Sequence, residues 1–552
     1  MLDYVIKKIM FLCTASLCLP FLLHGNYLQN VYHKKLEQRR NKEIPPLGFE
    51  HTKSTEKKSY NDYITLKKNY VFDAHTKDIS QITKKFIKTV AITHKELMYE
   101  SLYNDSFGFY GTGKVIFNRD NTQASFLTHP EFFSPNYGAM IAYNIYAIYR
   151  SMILAGELKP DEPFHIVELG AGNGTLAYDI LSFIKHTAKE EKTYNHATHW
   201  NQFFTQLQYT IGEISSALTQ RQIKKNKTYI DLGKIKVIQL DARKTNTLYT
   251  KKIKGVVLSN ELPDAFPVHK VYFTNNQFQV VVAMTTCNKK NLNKAFRTKK
   301  QIADIIARNN YIRKTYTPEV PKNLTPENII LPKKTYLKTK EAAARENKSI
   351  DNYIQFHEIP FPISYFPNIH NYIKRHGHCM TNKRYGTTWY INDELKPFME
   401  SVSYILQAGF ILTIDYGYSN PLLKNHTRNL GIHFYPHGAT NNIYKAPGSY
   451  DITTKVNFSE LATIGKQLGL QAIFYGKEYA LVKNTLLLNA QRNICMDSFN
   501  IDTDGLIAKN NLFHSPSQEI YQVSQCHNFK VLIQKTSNTK SSFTILADQE
   551  PL

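Results

Sequence analysis

FHIVELGAGNGTLAYDI, residues 164–180, is the stretch on which the fold turns. Phe164, Ile166, Val167 and Leu169 form a short apolar run rich in strand-forming residues, and Gly170, Gly172 and Gly174 follow at alternate positions. Thr175, Leu176 and Ala177 then open an apolar periodicity that continues through Ile180, Leu181 and Ile184 at helical spacing. The reading is strand, glycine loop, helix. Such a loop turns sharply and leaves main-chain N–H groups accessible beside the positive end of a helix, with no Cβ in the way of a ligand. A cofactor site is expected, against the alternative of a tight turn from strand to helix in any doubly wound protein.

The spacing of the glycines narrows the cofactor. The dinucleotide fingerprint is G-x-G-x-x-G, whose third glycine lets the helix pack close to the strand. Here the pattern is G-x-G-x-G, with Glu168 two residues ahead of the first glycine. That acidic form is similar to motif I of the class I S-adenosylmethionine-dependent methyltransferases, in which the loop wraps the amino-acid end of the cofactor and no pyrophosphate is bound. Glu168, Gly170, Gly172 and Gly174 are the cofactor candidates that follow from it.

The chain has 552 residues, enough for one large core or two, and its 42% hydrophobic and 21% charged content excludes a disordered protein. A formal charge of +24 favours an anionic partner, a membrane surface or nucleic acid, or reflects a composition rich in Lys and Asn. The charge is spread along the chain without interleaved aromatic RNA-binding signatures, which disfavours nucleic acid. Cysteines stand at 13, 18, 287, 379, 495 and 526 with no CxxC pair, which argues against a zinc ribbon or a disulfide scaffold. His376-Gly377-His378-Cys379 lacks a second ligand pair and reads as a loop, so no metal is expected.

Toward the N-terminus, Lys7 and Lys8 precede the apolar stretch of IMFLCTASLCLPFLLHG. It is shorter than the ~20 residues that cross a bilayer and fits the core of an export signal within residues 1–25. An uncleaved anchor stays open, because no clean A-x-A site follows, and residues 9–25 then give a route to the membrane. A basic arm is expected from 26 to 90, gaining helical periodicity only at Ile79, Ile82, Phe86, Ile87 and Val90. SFGFYGTG at 106–113 and SFLTHPEFFSPNYGAMIA at 125–142 set aromatics and glycines densely before a helix at 141–153. They read as loops folded over something, or as closures of a core.

Beyond the glycine loop, residues 186–206 are polar and read as a surface insertion, and 207–213 as a second strand ending in Glu213. In the class I methyltransferases that the glycine loop resembles, an acid at the end of the second strand accepts both ribose hydroxyls, its two oxygens matching a vicinal diol. Glu213 occupies that place, although it lies about 40 residues past the loop where ~20 is usual. Residues 214–225 supply a helix and 235–240 a third strand, followed by Asp241. Asp241 reads as an acceptor for an adenine amino group or, nearly as well, as a surface cap. Residues 255–260 form a fourth strand that runs into Glu261-Leu262-Pro263-Asp264-Ala265-Phe266-Pro267-Val268-His269. In an open α/β sheet the crevice lies at the carboxyl ends of the strands, so Asn260, Glu261 and Asp264 project toward the reacting centre. A helix cap stiffened by prolines is the alternative.

Residues 271–395 break the α/β alternation, and their section 288–348 is basic and helix-prone, as in an inserted cap or substrate domain. A helix at 395–406 and a fifth strand at 409–414, ending in Asp415-Tyr416-Gly417, resume the core. Residues 470–475 and 529–534 look like a closing antiparallel pair, with an exposed polar tail beyond.

With these pieces in order, the chain resembles the MidA-like family, which includes a mitochondrial complex I assembly factor that methylates a protein arginine. The matching segments are FGFYGTG, FLTHPEFFSPNYG, VELGAGNGTLAYDIL, GEISSALTQRQ, SNELPDAFPVH, LTIDYG and GSYDITTKVNFSELA, spread over 107–462. Type, order and strand-end location agree together, which is more specific than one glycine loop. Two departures fall in one loop: Ser125 stands where the family has Asp, and Thr128-His129-Pro130-Glu131 where it has Thr-Ser-Pro-Glu.

The resemblance implies an α/β fold, a class I methyltransferase Rossmann-like doubly wound sheet with an inserted substrate or cap domain. Its parts would be the segment 1–25, the arm 26–90, core residues 91–270 and 396–535, the insertion 271–395 and the tail 536–552. It implies S-adenosyl-L-methionine as cofactor, with Glu168, Gly170, Gly172, Gly174, Glu213, Asp241 and Asn260 around it. It also implies a protein substrate presenting an arginine side chain. A guanidinium stays protonated in water and is a poor nucleophile, so carboxylates must hold it and localise a lone pair on one nitrogen. Glu261 and Asp264 are the catalytic candidates, with Asp415, Tyr416 and Glu131 bordering the substrate. The rival readings are a catalytically idle assembly or interaction protein docking through its basic insertion, and a nucleic-acid methyltransferase. NELPDA is not the N-P-P-Y segment of amino-methylating nucleic-acid enzymes. The family's setting is cytoplasmic or mitochondrial, whereas the apolar N-terminus suggests export or anchoring; oligomeric state stays open.

Overall fold

The computed structural model describes residues 77–115, 117, 128–194, 199–249, 251–274, 277–377, 387–420, 432–435, 442–490, 529–545 and 549–552. The expectations for the signal or anchor, for most of the basic arm, and for Ser125, His378 and Cys379 lie outside them. In chain order the strands are β1 (Ala91–Thr93), β2 (Phe164–Leu169), β3 (Leu207–Glu213), β4 (Ile235–Gln239), β5 (Ile253–Asn260), β6 (His269–Thr274), β7 (Gln277–Asn288) and β8 (Asn328–Leu331). They continue as β9 (Ile354–Pro362), β10 (Thr387–Ile391), β11 (Leu406–Tyr418), β12 (Ile432–Tyr435), β13 (Asp451–Thr454), β14 (Val456–Asn457), β15 (Leu470–Lys477) and β16 (Phe529–Thr536).

The first sheet has the order β15-β16-β11-β5-β2-β3-β4, with β14 beside β11. β4, β3, β2, β5 and β11 are parallel, while β16 runs antiparallel between β11 and β15. Successive side chains of a strand face opposite ways, and both faces here are apolar. Ile166, Val256, Leu258, Phe410 and Leu412 enter a core shared with the helices Asn136–Leu154 and Thr175–Tyr194. Val167, Leu169, Val257 and Ile411 enter another, shared with the helices Leu395–Ile405 and Phe458–Gln467. Helices on both faces are what a mostly parallel sheet requires. The strands therefore end together along one edge, at Leu169, Glu213, Asn260 and Tyr418.

The second sheet is antiparallel and built around β7, which pairs with β1, β6, β8 and β9, while β10 lies outside β6. The inserted section therefore folds on a sheet of its own and is not simply helical, though the helices Lys299–Thr315 and Lys333–Arg345 carry much of its basic part. β1, assigned from sequence to the core, belongs to this second sheet. The helical periodicity before it is real: Lys77–Thr89 is a helix that buries Phe86, and Val90 follows it into the core.

Two expectations need correction. Residues 186–206 are not a surface insertion throughout, because Trp200 and Phe203 are buried and Trp200 stacks on Tyr146 at 3.8 Å between ring centroids. The helices Thr175–Tyr194 and Trp200–Gln206 are what lengthen the chain between the glycine loop and Glu213. The tail is not exposed along its length: Thr539, Ser541, Phe543 and Ile545 are buried, and the Gly409 N–H donates to Thr539 Oγ1 at 2.7 Å. Among the described residues no helix is long and apolar enough to cross a membrane.

Candidate active site

The glycine loop leaves β2 in a left-handed conformation at all three glycines, with φ of 74° at Gly170, 55° at Gly172 and 80° at Gly174. Gly172 lies against the Phe117 ring, which a Cβ there would meet at 3.7 Å, an ordinary van der Waals contact. Side chains from the neighbouring helix and strand fix the loop. Gln222 Nε2 donates to the Gly172 carbonyl at 2.9 Å and to Glu213 Oε2 at 3.0 Å, and Asn226 Nδ2 donates to the Gly174 carbonyl at 3.1 Å. The aromatic segment 107–117 lies against this end of the sheet. Ser215 Oγ donates to the Tyr110 carbonyl and Asn173 Nδ2 to the Phe117 carbonyl, and Arg221 donates to the carbonyls of Gly113 and Val115.

Glu213 stands where strand β3 ends, accepting from the Ser215 N–H at 2.9 Å as well as from Gln222. The Ile214 N–H is a third donor to this carboxylate, whose two oxygens offer about four acceptor positions in all. Burial pushes its carboxyl up to about 7, against the lowering pull of those hydrogen bonds. Glu168 is buried beneath the loop and accepts from Tyr209 Oη at 2.7 Å; burial brings it also to about 7. Its contact is with the strand beside it. Asp241 likewise has a local partner. Its carboxylate caps the Arg243 N–H and pairs with the Arg243 guanidinium at 2.8 Å, so the cap reading describes it and the adenine role gains no support. Glu131 accepts from Thr175 Oγ1 at 2.8 Å. That places it against the start of the glycine-loop helix, and no contact joins it to Glu261 or Asp264 among the described residues.

At the ends of β5 and β11 the structure gathers carboxylates. Glu261 has a φ of 50°, a conformation a side chain rarely adopts and one that costs on the order of 1–3 kcal/mol, held by its N–H donating to the Ile414 carbonyl at 2.9 Å. It is only partly buried, so it keeps access to solvent. Asp264, Asp415 and Asp451 are buried beside it, with Asp415 completely enclosed. Asp415 accepts from the N–H groups of Asp264 at 3.1 Å and Tyr416 at 2.8 Å, Tyr416 Oη donates to Asp264, and Tyr110 Oη donates to Asp451 at 2.6 Å.

All four carboxyls are displaced upward. Burial is the largest cause in each, taking Glu261 and Asp451 to about 7, Asp264 to about 6 and Asp415 well above its ordinary value; like charge among Glu261, Asp264 and Asp415 adds to the effect. No Lys or Arg forms an ion pair with any of the four among the described residues. The two halves of the crevice abut: a Cβ at Gly170 would lie 2.8 Å from Leu262 Cδ1.

Sequence reasoning missed Asp451, Tyr110, Gln222, Asn226 and a further buried group formed by His129, Tyr137 and Glu478. Asp451, Tyr110 and Gln222 lie inside segments singled out above, yet spacing alone does not say that β13, the aromatic segment and the helix Ser216–Lys225 converge. Asn260 is held by Tyr137 and by Glu261. Its Oδ1 lies 2.6 Å from Tyr137 Oη and its Nδ2 donates to Glu261 Oε1 at 3.1 Å.

Residues 140–476 match the family described as "Putative S-adenosyl-L-methionine-dependent methyltransferase". A curated relative, the mitochondrial protein arginine methyltransferase NDUFAF7 homolog of Drosophila melanogaster, is 27% identical over 210 residues. That match covers 37% of this chain and 43% of the relative, so it spans less than half of the relative's length. Among solved structures, a COG1565 superfamily member from Burkholderia thailandensis bound to S-adenosyl-homocysteine superposes with a TM-score of 0.54 at 16% identity, over 88% of this chain and 95% of that one. A second structure, of a protein of the same superfamily and organism, gives a TM-score of 0.50 at 15% identity over the same shares. The likeness establishes the fold class expected from the sequence, an α/β class I methyltransferase Rossmann-like doubly wound sheet.

Proposed function

The chain belongs to the MidA-like family of S-adenosyl-L-methionine-dependent methyltransferases, and from that premise we propose that it methylates an arginine side chain of a protein. The observation that carries the reading is the group Glu261, Asp264, Asp415 and Asp451, gathered at the strand ends without a Lys or Arg partner among the described residues. A site that holds several carboxylates out of water with no Lys or Arg of its own beside them is complementary to a cation brought by a substrate. A guanidinium brings five N–H donors and one positive charge, which suits acceptors arranged around it better than a single point charge would.

The residues present also fit the cofactor. Gly172 lies under the Phe117 ring, and Glu213 stands beside the loop. Glu168, Gly170, Gly174 and Asn260 act as the frame of that site; Glu131, beside Thr175, is read as bordering the cofactor in preference to the substrate. S-adenosyl-L-methionine supplies an activated methyl group, whose bond to sulfur breaks with its electron pair left on sulfur as the bond to the guanidinium nitrogen forms. Glu261, on the solvent-accessible side, holds that nitrogen and takes the proton it loses. Asp264, oriented by Tyr416, holds a second nitrogen and concentrates the charge there, while Asp415 fixes the turn that carries Asp264.

The test is transfer of a labelled methyl group from S-adenosyl-L-methionine to arginine-bearing proteins, followed by complete hydrolysis and separation of methylated amino acids. Label in methylarginine, lost in Glu261→Gln while calorimetry shows cofactor binding intact, supports the reading. Label in methyllysine, or cofactor binding without transfer to any protein, overturns it.

A further inference from the structure

A second buried polar group adjoins Glu261, and three of its members, His129, Tyr137 and Glu478, have no part in the reading above. His129 Nδ1 lies 2.8 Å from Glu478 Oε2, and both side chains are almost completely enclosed. Tyr137 Oη lies between Glu478 Oε1 at 2.5 Å and Asn260 Oδ1 at 2.6 Å. Asn260 Nδ2 and the His129 main-chain N–H both donate to Glu261 Oε1, each at 3.1 Å. The contacts run from Glu261 through Asn260, Tyr137, Glu478 and His129 back to Glu261, with the single Tyr137 proton donated either to Glu478 or to Asn260.

These contacts join elements far apart in the chain. His129 opens the short helix His129–Phe132, Tyr137 lies in the first turn of Asn136–Leu154, and Glu478 follows β15. The imidazole lies over the Phe529 ring at 4.0 Å between centroids, and Phe529 meets Tyr416 edge-on at 5.3 Å. Such enclosure leaves the imidazole one orientation, with Glu478 as its acidic partner. The residue is also the one at which this chain departs from the Thr-Ser-Pro-Glu of the resemblance, and the larger, ionisable side chain is matched by a carboxylate.

We propose that His129 and Glu478 are positioning residues for Glu261: a buried imidazolium–carboxylate pair that aims Glu261 into the crevice and limits how far burial raises its affinity for a proton. The inference rests on the proposed methyl transfer for its purpose, but its geometry and its test do not. Two hydrogen bonds to one oxygen of Glu261 favour the charged form and leave the other oxygen for a substrate nitrogen. The cation of His129 opposes the like charge that Glu261 receives from Asp264 and Glu478, and that Asp415 receives from Glu261. The groups facing Glu261 are thus His129, Asn260, Asp264, Asp415 and Glu478; those facing His129 are Glu478, Glu261, Tyr137 and the Phe529 ring. Burial lowers the imidazole's affinity for a proton, and Glu478 with Glu261 more than restores it, so His129 is held above its ordinary value.

The experiment uses the full chain labelled with carbon-13 in histidine rings and glutamate carboxyls and titrated by NMR. His129 is expected to stay protonated above its ordinary midpoint in the wild type, and Glu478→Gln is expected to lower that midpoint. In His129→Gln the Glu261 carboxyl should bind its proton at least tenfold more tightly. A Glu261 midpoint unchanged in folded His129→Gln overturns the proposal. So does a wild-type His129 that titrates at or below the ordinary histidine value, a result that stands even if the variant does not fold. Neither readout needs turnover, so failure to methylate arginine and failure of this pair are separate results. With an active enzyme, kcat of His129→Gln should fall at pH 7 and recover as pH rises, with the KM for S-adenosyl-L-methionine unchanged.

Discussion

Buried acids in the two sheets behave in opposite ways. Beside the antiparallel sheet, Glu358 and Asp393 each have a cation. Glu358 pairs with Lys270 at 2.7 Å and also accepts from Tyr272 and Tyr444, while Asp393 pairs with Lys95 at 2.7 Å. Burial alone would raise both carboxyls, yet their partners outweigh it and hold them below the usual range. At the strand ends of the parallel sheet, burial meets no Lys or Arg, and the carboxyls of Glu261, Asp264, Asp415 and Asp451 are held high. An acid with its counter-ion in the same chain fastens a fold. An acid without one waits for a charge from outside, which is how perturbed groups come to mark functional sites.

Glu261 carries the largest expected effect. Glu261→Gln keeps the shape and removes the proton acceptor; turnover should fall by about 100-fold or more with the dissociation constant of S-adenosyl-L-methionine unchanged. Single-turnover kinetics together with calorimetry separate the two effects. Gly172→Val should instead abolish cofactor binding, because it forces a branched side chain into a φ of 55° and fills the space before Phe117.

The second sheet should answer differently. Lys270→Met strips Glu358 of its cation and should destabilise the fold by about 3 kcal/mol, read as a lower denaturant midpoint, with little change in cofactor affinity. Asp264→Asn should do the reverse, losing turnover while gaining about 1 kcal/mol of stability at pH 8. The sign follows from linkage: a carboxyl held higher in the folded state contributes its full stability when protonated and loses it as pH rises through the folded value, here about 6. The gain in Asp264→Asn should therefore vanish near pH 4. The acids held low, Glu358 and Asp393, contribute above their ordinary values of about 4 and lose that contribution as the solution becomes more acidic. The smallest effect belongs to the exposed pair Lys227 and Asp231, 3.0 Å apart, where Lys227→Ala should stay within about 0.5 kcal/mol.

The same contrast explains what the sequence reveals. The glycine loop is contiguous, so residues 164–180 display strand, turn and helix in one reading, and the alternation in β2, β5 and β11 follows from a sheet apolar on both faces. Glu213 was legible because a strand ended there. Asp451 was not, because β13 is short and meets Asp264 only through tertiary folding. Glu478 and Tyr137 are 341 residues apart and become neighbours only when β15 closes the sheet edge. Trp200 misled for the converse reason: its polar neighbours suggested a surface, and only the packing against Tyr146 puts it in the core.

The central claim is that the unpaired carboxylates receive a guanidinium. It is tested most directly by titrating the S-adenosyl-homocysteine-saturated protein at pH 6.5 with a blocked arginine peptide and its lysine counterpart, in two buffers of different ionisation enthalpy. The arginine peptide should bind with release of protons, as the entering cation ionises carboxyls held near 6 to 7, and the release should shrink in Asp264→Asn and Glu261→Gln. Arginine binding without proton release, or equal binding of the lysine peptide, would contradict the account.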